Sequence, residues 1–181
     1  MYEFIQNIVR SFRGEVSTKK LVKRGLIVGE NFQRQGRCII DPPHCWLIEI
    51  GDNVTLATGV YILAHDASMK NSTGYVKIGK VKIGSNVFIG AYSIVLPNVK
   101  IGNNVIIGCG SVITKDIPDN SVVVGNPGRI ISSTDVYVKK QKELQKRTPC
   151  FGEEYTIRKR VSLNKKNEMK KKLENTIGFI E

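Results

Sequence analysis

The chain has 181 residues, of which 41% are hydrophobic and 24% are charged, a composition that fits one globular domain with a sizeable core. No apolar run is long enough to span a bilayer and no cleavable leader pattern is visible, so we expect no integral membrane segment. The formal net charge of +12 suggests an anionic partner, but no nucleic-acid-binding module is visible, and we expect no nucleic-acid partner.

The four cysteines are not spaced as a metal or redox motif. Cys38, Cys45, Cys109 and Cys150 form no C-x-x-C pair, which argues against a zinc ribbon or a dithiol redox site. We therefore expect free thiols and a cytoplasmic protein.

The N-terminal segment carries apolar residues at helical spacing between Phe4 and Phe12. This pattern predicts a short amphipathic helix packed on the domain, with a membrane-surface anchor as the alternative. We assign residues 1–25 to an N-terminal helical cap.

The middle of the chain repeats every six residues. An aliphatic residue recurs at this interval at Ile50, Leu56 and Ile62, and again at Ile83, Ile89, Val95, Ile101, Ile107 and Ile113. Four residues after each member of the second series lies a small or branched residue: Val87, Ser93, Val99, Val105 and Ser111. Neither a helix nor an isolated half-buried strand has this period, because their side chains repeat at 3.6 and 2 residues.

A period of six is typical of a solenoid in which each unit is one short strand and one corner. The aliphatic residues would stack into a continuous core. Asparagine tolerates left-handed backbone, which suits it to the corners. The asparagines at the predicted corners are Asn53, Asn86, Asn98, Asn103 and Asn104. We assign residues 26–131 to this domain.

Two interruptions break the register, and the only two histidines lie beside them. Ile62 and Ile83 are not separated by a multiple of six, which predicts an inserted loop at residues 67–76, just after His65. The other irregularity surrounds His44, between Val28 and Ile50. Insertions in solenoids often carry functional groups.

The repeat ends after Ile131, and residues 132–181 form a basic C-terminal extension. Its lysine-rich stretch near Val136 to Arg147 is predicted to be helical. We expect the extension to cap the solenoid or to pack on a neighbouring subunit.

The repeat, the His65 segment and the sequences IGCGSVITKD (107–116) and VVVGNPGRII (122–131) resemble the hexapeptide-repeat acyltransferases. The similarity is closest to the sugar and polysaccharide O-acetyltransferases. It implies a mainly β fold, the left-handed parallel β-helix with three strands per coil. It also implies a homotrimer whose active sites lie between subunits, and a role in polysaccharide biosynthesis.

In this family a histidine at the place of His65 activates the acceptor hydroxyl. The chemistry supports that role, because imidazole titrates near neutral pH and is suited to removing a hydroxyl proton. Asp66 is the second catalytic candidate, either orienting the ring or capping the loop. A backbone carbonyl is an equally good orienting group.

The acceptor-binding candidates are less specific. Asp41 and His44 lie at the first interruption, and Trp46 would either stack on a sugar ring or fill the core. Phe88 replaces the tryptophan that many sugar acetyltransferases of the family carry, which leaves an apolar slot without an indole N–H.

The resemblance also implies the contacts of acetyl-CoA, which is the expected co-substrate. Gly90, Ala91, Gly108 and Cys109 would bind the pantetheine amides through their backbones, which requires small residues. Thr114 and Lys115 would meet the pantetheine or phosphate region. Asn126 lies in the GNPGR segment, and Arg129 there would reach the nucleotide phosphates.

The expected function is therefore acetyl transfer from acetyl-CoA to a hydroxyl of a small-molecule or glycan acceptor, with no metal required. An N-acetyltransferase acting on an amino-sugar nucleotide or an antibiotic is the main alternative. A non-catalytic scaffold is a further one. A zinc carbonic anhydrase with three histidine ligands is excluded, because the chain has two histidines.

Overall fold

The computed structural model describes residues 15–181, which divide into two compact units. The first unit extends to Thr134, and the second comprises Asp135–Glu181. The predicted helix between Phe4 and Phe12 lies outside the described residues.

The first unit is built from three sheets, here called A, B and C. Sheet A contains β1 (Ile27–Val28), β4 (Ile48–Ile50), β9 (Val81–Ile83) and β12 (Lys100–Ile101). Sheet B contains β2 (Gln33–Arg34), β5 (Thr55–Leu56), β10 (Phe88–Ile89), β13 (Ile106–Ile107), β15 (Ser121–Val124) and β16 (Arg129–Ser133). Sheet C contains β3 (Ile39–Ile40), β6 (Tyr61–Ile62), β11 (Ile94–Val95) and β14 (Val112–Ile113).

The chain visits sheets A, B and C in turn, so each coil is three short strands joined by three corners. Strands of successive coils pair in parallel and in register; Ile89, for example, lies between Leu56 and Ile107. The antiparallel pairing of β16 with β15 ends this pattern. The predicted three-sided parallel β-helix is confirmed.

The interior is the stack of residues that the six-residue period singled out. All nine aliphatic residues of the two series are at most 2% exposed. The residues four positions later in the second series are buried as well, including two serines whose hydroxyls both donate to the Gly108 carbonyl, at 2.9 Å from Ser93 and 2.7 Å from Ser111. These bonds satisfy polar groups that would otherwise destabilise the core.

Asparagines form the corners between sheets A and B. Asn53, Asn86 and Asn104 have positive φ, and their side-chain amides form a ladder that starts at Asn31, with steps of 3.0, 3.1 and 3.2 Å. Asn103 departs from the prediction, since it is not left-handed. Its Oδ1 instead accepts from the Ser85 backbone N–H at 2.8 Å.

The remaining elements of the first unit lie outside the coils. Helix α1 (Thr18–Lys23) begins at Ser17, whose hydroxyl caps it, and buries Leu21. Strands β7 (His65–Asp66) and β8 (Lys77–Ile78) pair antiparallel. Between them, residues 67–76 contain the one-turn helix α2 (Lys70–Thr73).

The basic C-terminal region contains helices and one small sheet. Helix α3 (Thr134–Gln145) confirms the helix expected near Val136 to Arg147. Helix α4 is Leu163–Lys172, and β17 (Cys150–Phe151) pairs with β18 (Phe179–Ile180). Within residues 15–181, no helix combines the length and apolar character needed to cross a bilayer.

The stacked core predicts the outcome of a matched pair of substitutions. Ile89→Ala removes a fully buried side chain in mid-stack and should lower the free energy of unfolding by about 2–5 kcal/mol. Ile27→Ala, at a side chain that is 58% exposed on sheet A, should change it by less than about 0.5 kcal/mol. Urea denaturation at one protein concentration measures both, and equal losses would contradict the predicted core.

Candidate active site

The corner between sheets C and A brings four segments of the sequence together. Asp41 follows β3, His65 comes three residues after β6 ends, Pro97 follows β11 and Thr114 follows β14. Because the strands of sheet C stack in register, these residues follow one another along this corner. The candidate catalytic histidine therefore lies one coil from Asp41.

Asp41 is the residue that holds the His65 ring. Its side chain is fully buried, and its Oδ2 lies 2.5 Å from His65 Nδ1 and accepts the Ala64 backbone N–H at 2.7 Å. An ionised carboxylate only accepts hydrogen bonds, so Nδ1 carries the hydrogen in this contact. The other ring nitrogen, Nε2, then has the free lone pair that a general base needs.

His65 lines a cleft of about 460 Å³, and its side chain is one-third exposed. Leu63, Leu96 and Pro97 give the cleft apolar walls, and Thr114 and Lys77 add polar groups. The volume lies in the range of small-molecule sites. A partly exposed imidazole in such a cleft is accessible to a reactant.

His44 also lies close to both Asp41 and His65. Its ring centroid is 5.0 Å from that of His65, and its Nδ1 is 3.8 Å from Asp41 Oδ1. That separation is too long for a hydrogen bond. Both atoms are buried and have no hydrogen-bond partner among residues 15–181.

Asp66, the predicted second catalytic residue, makes its contacts within the loop rather than with the His65 ring. Its Oδ1 accepts the Ser68 backbone N–H at 2.9 Å, and its Oδ2 pairs with Lys77 Nζ at 3.1 Å. The hydrogen bonds from Ser68, followed by the contact with Lys77, lower the pKa of the Asp66 carboxyl from 3.8 to about 2. Asp66 thus caps the loop, because successive side chains in a strand point to opposite faces.

The acceptor-binding candidates do not form one group within the chain. Asp41 and His44 adjoin His65. Trp46 is 55% exposed, which argues against a core role, and its ring lies 5.5 Å from that of His44. Phe88 is on the outer face of sheet B, away from the His65 corner, and is 44% exposed.

Half of the predicted acetyl-CoA contacts lie at a different corner, between sheets B and C. Gly90 and Ala91 follow β10, and Gly108 and Cys109 follow β13. A Cβ at Gly90 would lie 2.5 Å from the Cys109 backbone nitrogen, so the stacking of coils alone requires glycine there. The glycine at position 90 is therefore explained without a ligand.

The other predicted acetyl-CoA contacts lie at two places. Thr114 lines the His65 cleft and Lys115 follows it at the same corner. Asn126 lies in the turn between β15 and β16, and Arg129 begins β16 with its Nη1 donating to the Gly128 carbonyl at 3.0 Å.

Among residues 15–181, Asp41, His44 and His65 form a group that could hold a metal ion. One ligand atom from each lies within 4.8 Å of the others. Sequence reasoning placed Asp41 only as an acceptor-binding residue. The signal it missed is the pairing of Ile40 with Ile62 in the next coil, which places Asp41 and His65 after neighbouring strands of sheet C and so at the same corner.

Comparison with known proteins identifies the repeat. The bacterial transferase hexapeptide (six repeats) matches residues 80–115, and the hexapeptide repeat of succinyl-transferase matches residues 48–64. Protein CapG of Staphylococcus aureus is 44% identical over 99 residues, covering 52% of this chain and 58% of CapG. The chain therefore contains hexapeptide repeats and is similar to acyltransferases that carry them. The predicted fold class, the left-handed β-helix, is confirmed.

Solved structures extend this likeness. A maltose O-acetyltransferase from Clostridium difficile 630 is 49% identical with a TM-score of 0.53, covering 60% of this chain and 59% of that one. A hexapeptide-repeat acetyltransferase from Vibrio cholerae is 18% identical with a TM-score of 0.52, and the match covers 64% of this chain and 78% of that one. At this identity the likeness shows the fold alone. The chain spans a little under three-fifths of the length of CapG and of the maltose O-acetyltransferase.

The loop contacts of Asp66 predict a pH-dependent contribution to stability. The pKa of Asp66 in the folded chain lies below its value in the unfolded chain, so ionised Asp66 stabilises the loop above about pH 4. This contribution is lost as the pH falls towards 2. Chemical-shift titration should show that the Asp66 carboxyl titrates with a midpoint near pH 2. In Lys77→Met the midpoint should stay below 3.8, because the hydrogen bonds from Ser68 lower the pKa more than Lys77 does. A wild-type midpoint at 3.8 would contradict the assignment.

Proposed function

We propose that this chain transfers an acetyl group from acetyl-CoA to a hydroxyl of a sugar or polysaccharide precursor, with His65 as general base. The observation that carries the proposal is the contact between the buried Asp41 carboxylate and His65 Nδ1 beside an open cleft. The likeness to a maltose O-acetyltransferase supports a sugar hydroxyl as acceptor.

His65 acts on the acceptor. A sugar hydroxyl is a weak nucleophile at neutral pH, and Nε2 removes its proton as the oxygen attacks the acetyl carbonyl of the thioester. Asp41 stabilises the positive charge that develops on the ring, as a buried carboxylate does in catalytic triads. The C–S bond then breaks, and the proton passes to the coenzyme A thiolate.

The developing oxyanion needs a hydrogen-bond donor, and we assign this role to a backbone N–H beside the cleft. No covalent acyl-enzyme is required. Cys109 lies at the corner between sheets B and C, whereas His65 lies at the corner between sheets C and A, so the Cys109 thiol is not placed beside the base.

The donor site is proposed to lie between subunits of a homotrimer. Six of the eight predicted acetyl-CoA contacts fall on two corners of the triangular coil, with Gly90 and Gly108 on one and Thr114 on the other. Two copies that meet along these corners would unite both groups around one cofactor. The basic surface suits the cofactor phosphates, for which Arg129 is the proposed partner.

The proposed chemistry requires no metal, because His65 supplies the base. N-acetyl transfer uses the same donor and the same base. An assay against matched hydroxyl and amino sugars distinguishes the two reactions, and turnover only with the amine would assign the N-acetyltransferase alternative.

His65→Ala tests the proposal directly. Removing the base should lower kcat by about 10²- to 10⁴-fold and leave acetyl-CoA affinity nearly unchanged. Sugar-dependent release of coenzyme A gives the rate, and calorimetric titration gives the affinity. Full activity of the variant would refute the role of His65, and no acetyl-CoA binding by either protein would favour the scaffold alternative.

Asp41→Asn tests the role of the buried carboxylate. The amide keeps the shape but loses the charge that stabilises protonated His65, so kcat should fall by about 10²-fold or more while the KM for acetyl-CoA stays within a few-fold. Asp66→Asn is the matched control and should cause a much smaller loss. A thermal melt verifies folding, and equal effects of the two substitutions would contradict the assignment.

A further inference from the structure

The buried carboxylate of Asp41 is only half satisfied. Oδ2 accepts from Ala64 N–H and contacts His65, whereas Oδ1 is buried and has no hydrogen-bond partner among residues 15–181. A buried carboxylate oxygen without a hydrogen-bond partner destabilises the folded chain. The arrangement therefore favours a group that would occupy the space beside Oδ1.

The atom facing Oδ1 is equally unsatisfied. His44 Nδ1 lies 3.8 Å away, is buried, and likewise has no hydrogen-bond partner among these residues. Two buried atoms with lone pairs, an imidazole nitrogen and a carboxylate oxygen, thus face each other across a gap too wide for a direct hydrogen bond. These are ligand types that zinc prefers.

The gap has the width that a zinc ion bridges. With bonds of about 2.1 Å in the tetrahedral geometry that zinc adopts, two ligand atoms on one zinc ion lie about 3.4 Å apart. The 3.8 Å between Asp41 Oδ1 and His44 Nδ1 is close to that separation. His65 supplies the third ligand, since one atom from each residue lies within 4.8 Å of the others. Its ring is part-exposed and has room to adjust towards the ion.

We propose that Asp41, His44 and His65 form a zinc site that competes with the catalytic arrangement. Zinc takes an imidazole lone pair of His65 and one oxygen of the carboxylate that positions the ring. A zinc ion at this site therefore inhibits acyl transfer, and removing it restores the base. This inhibitory consequence rests on the proposed function, whereas the binding site itself does not.

The test measures binding of Zn²⁺ alone to the full chain. Cys109 and Cys150 are exposed thiols that would also bind zinc, so all proteins carry Cys109→Ser and Cys150→Ser. Calorimetric titration should find one Zn²⁺ per chain and little binding of Mg²⁺, which prefers oxygen ligands. Co²⁺ absorption in the visible range should report the same site.

The ligands are then removed one at a time. His44→Asn and His65→Ala should each weaken Zn²⁺ binding by at least about tenfold, because even the loss of an outer-shell partner costs about 10- to 100-fold. Asp66→Asn, a carboxylate outside the group, should leave it unchanged. His44→Gln replaces His44→Asn if a thermal melt shows that the latter does not fold.

The outcomes separate this proposal from the proposed function. Absence of Zn²⁺ binding, or equal binding in His44→Asn and the parent, would overturn the zinc site and leave the transferase untouched. Tight Zn²⁺ binding together with no acetyl transfer at any zinc concentration would keep the site and reject the catalytic role of His65. Zinc that binds but does not slow acetyl transfer would overturn the proposal that zinc binding competes with catalysis.

Discussion

The in-register stacking of successive coils is the constraint on which the rest of this structure depends. Most strands contribute only two or three residues, too few to be stable alone, so each coil depends on its neighbouring coils. The same stacking forces glycine at Gly90 and lets the asparagine side chains form a ladder along one corner. It also aligns residues that are far apart in sequence, which is how a β-helix assembles a site.

The candidate site follows from two breaks in that regularity. At the first break the chain leaves sheet C and places Asp41 inside the corner, where its carboxylate is fully buried. At the second break, one coil later, the chain again leaves sheet C and forms the β7–β8 hairpin, which begins with His65. The two later coils, which carry no insertion, place no histidine at this corner. The insertions thus supply the chemistry, while the coils fix the spacing between the two side chains.

The buried carboxylate allows two alternative states at one place. Oδ2 serves the His65 ring, and Oδ1 faces His44 across a gap without a hydrogen bond. The contact of Oδ2 with His65 prepares the ring to act as a base, and the gap between Oδ1 and His44 leaves room for a cation. Since the two uses share Asp41 and His65, they cannot be realised together. The proposed base and the proposed zinc site are therefore linked by geometry.

The sequence by itself determined the fold and the identity of the candidate base. A six-residue period reports burial directly, so the core from Ile50 to Ile113 and the corner asparagines could be predicted, apart from the backbone of Asn103. Periodicity also predicted the break after His65. It did not predict the partner of that histidine, because Asp66 is adjacent in sequence but points to the other face, whereas Asp41 is 24 residues away. Only the tertiary structure decided that Asp41 holds the ring and that most of the predicted acetyl-CoA contacts fall on two corners. Both results depend on which coil lies beside which, and that pairing is fixed by stacking in space rather than by neighbours along the chain.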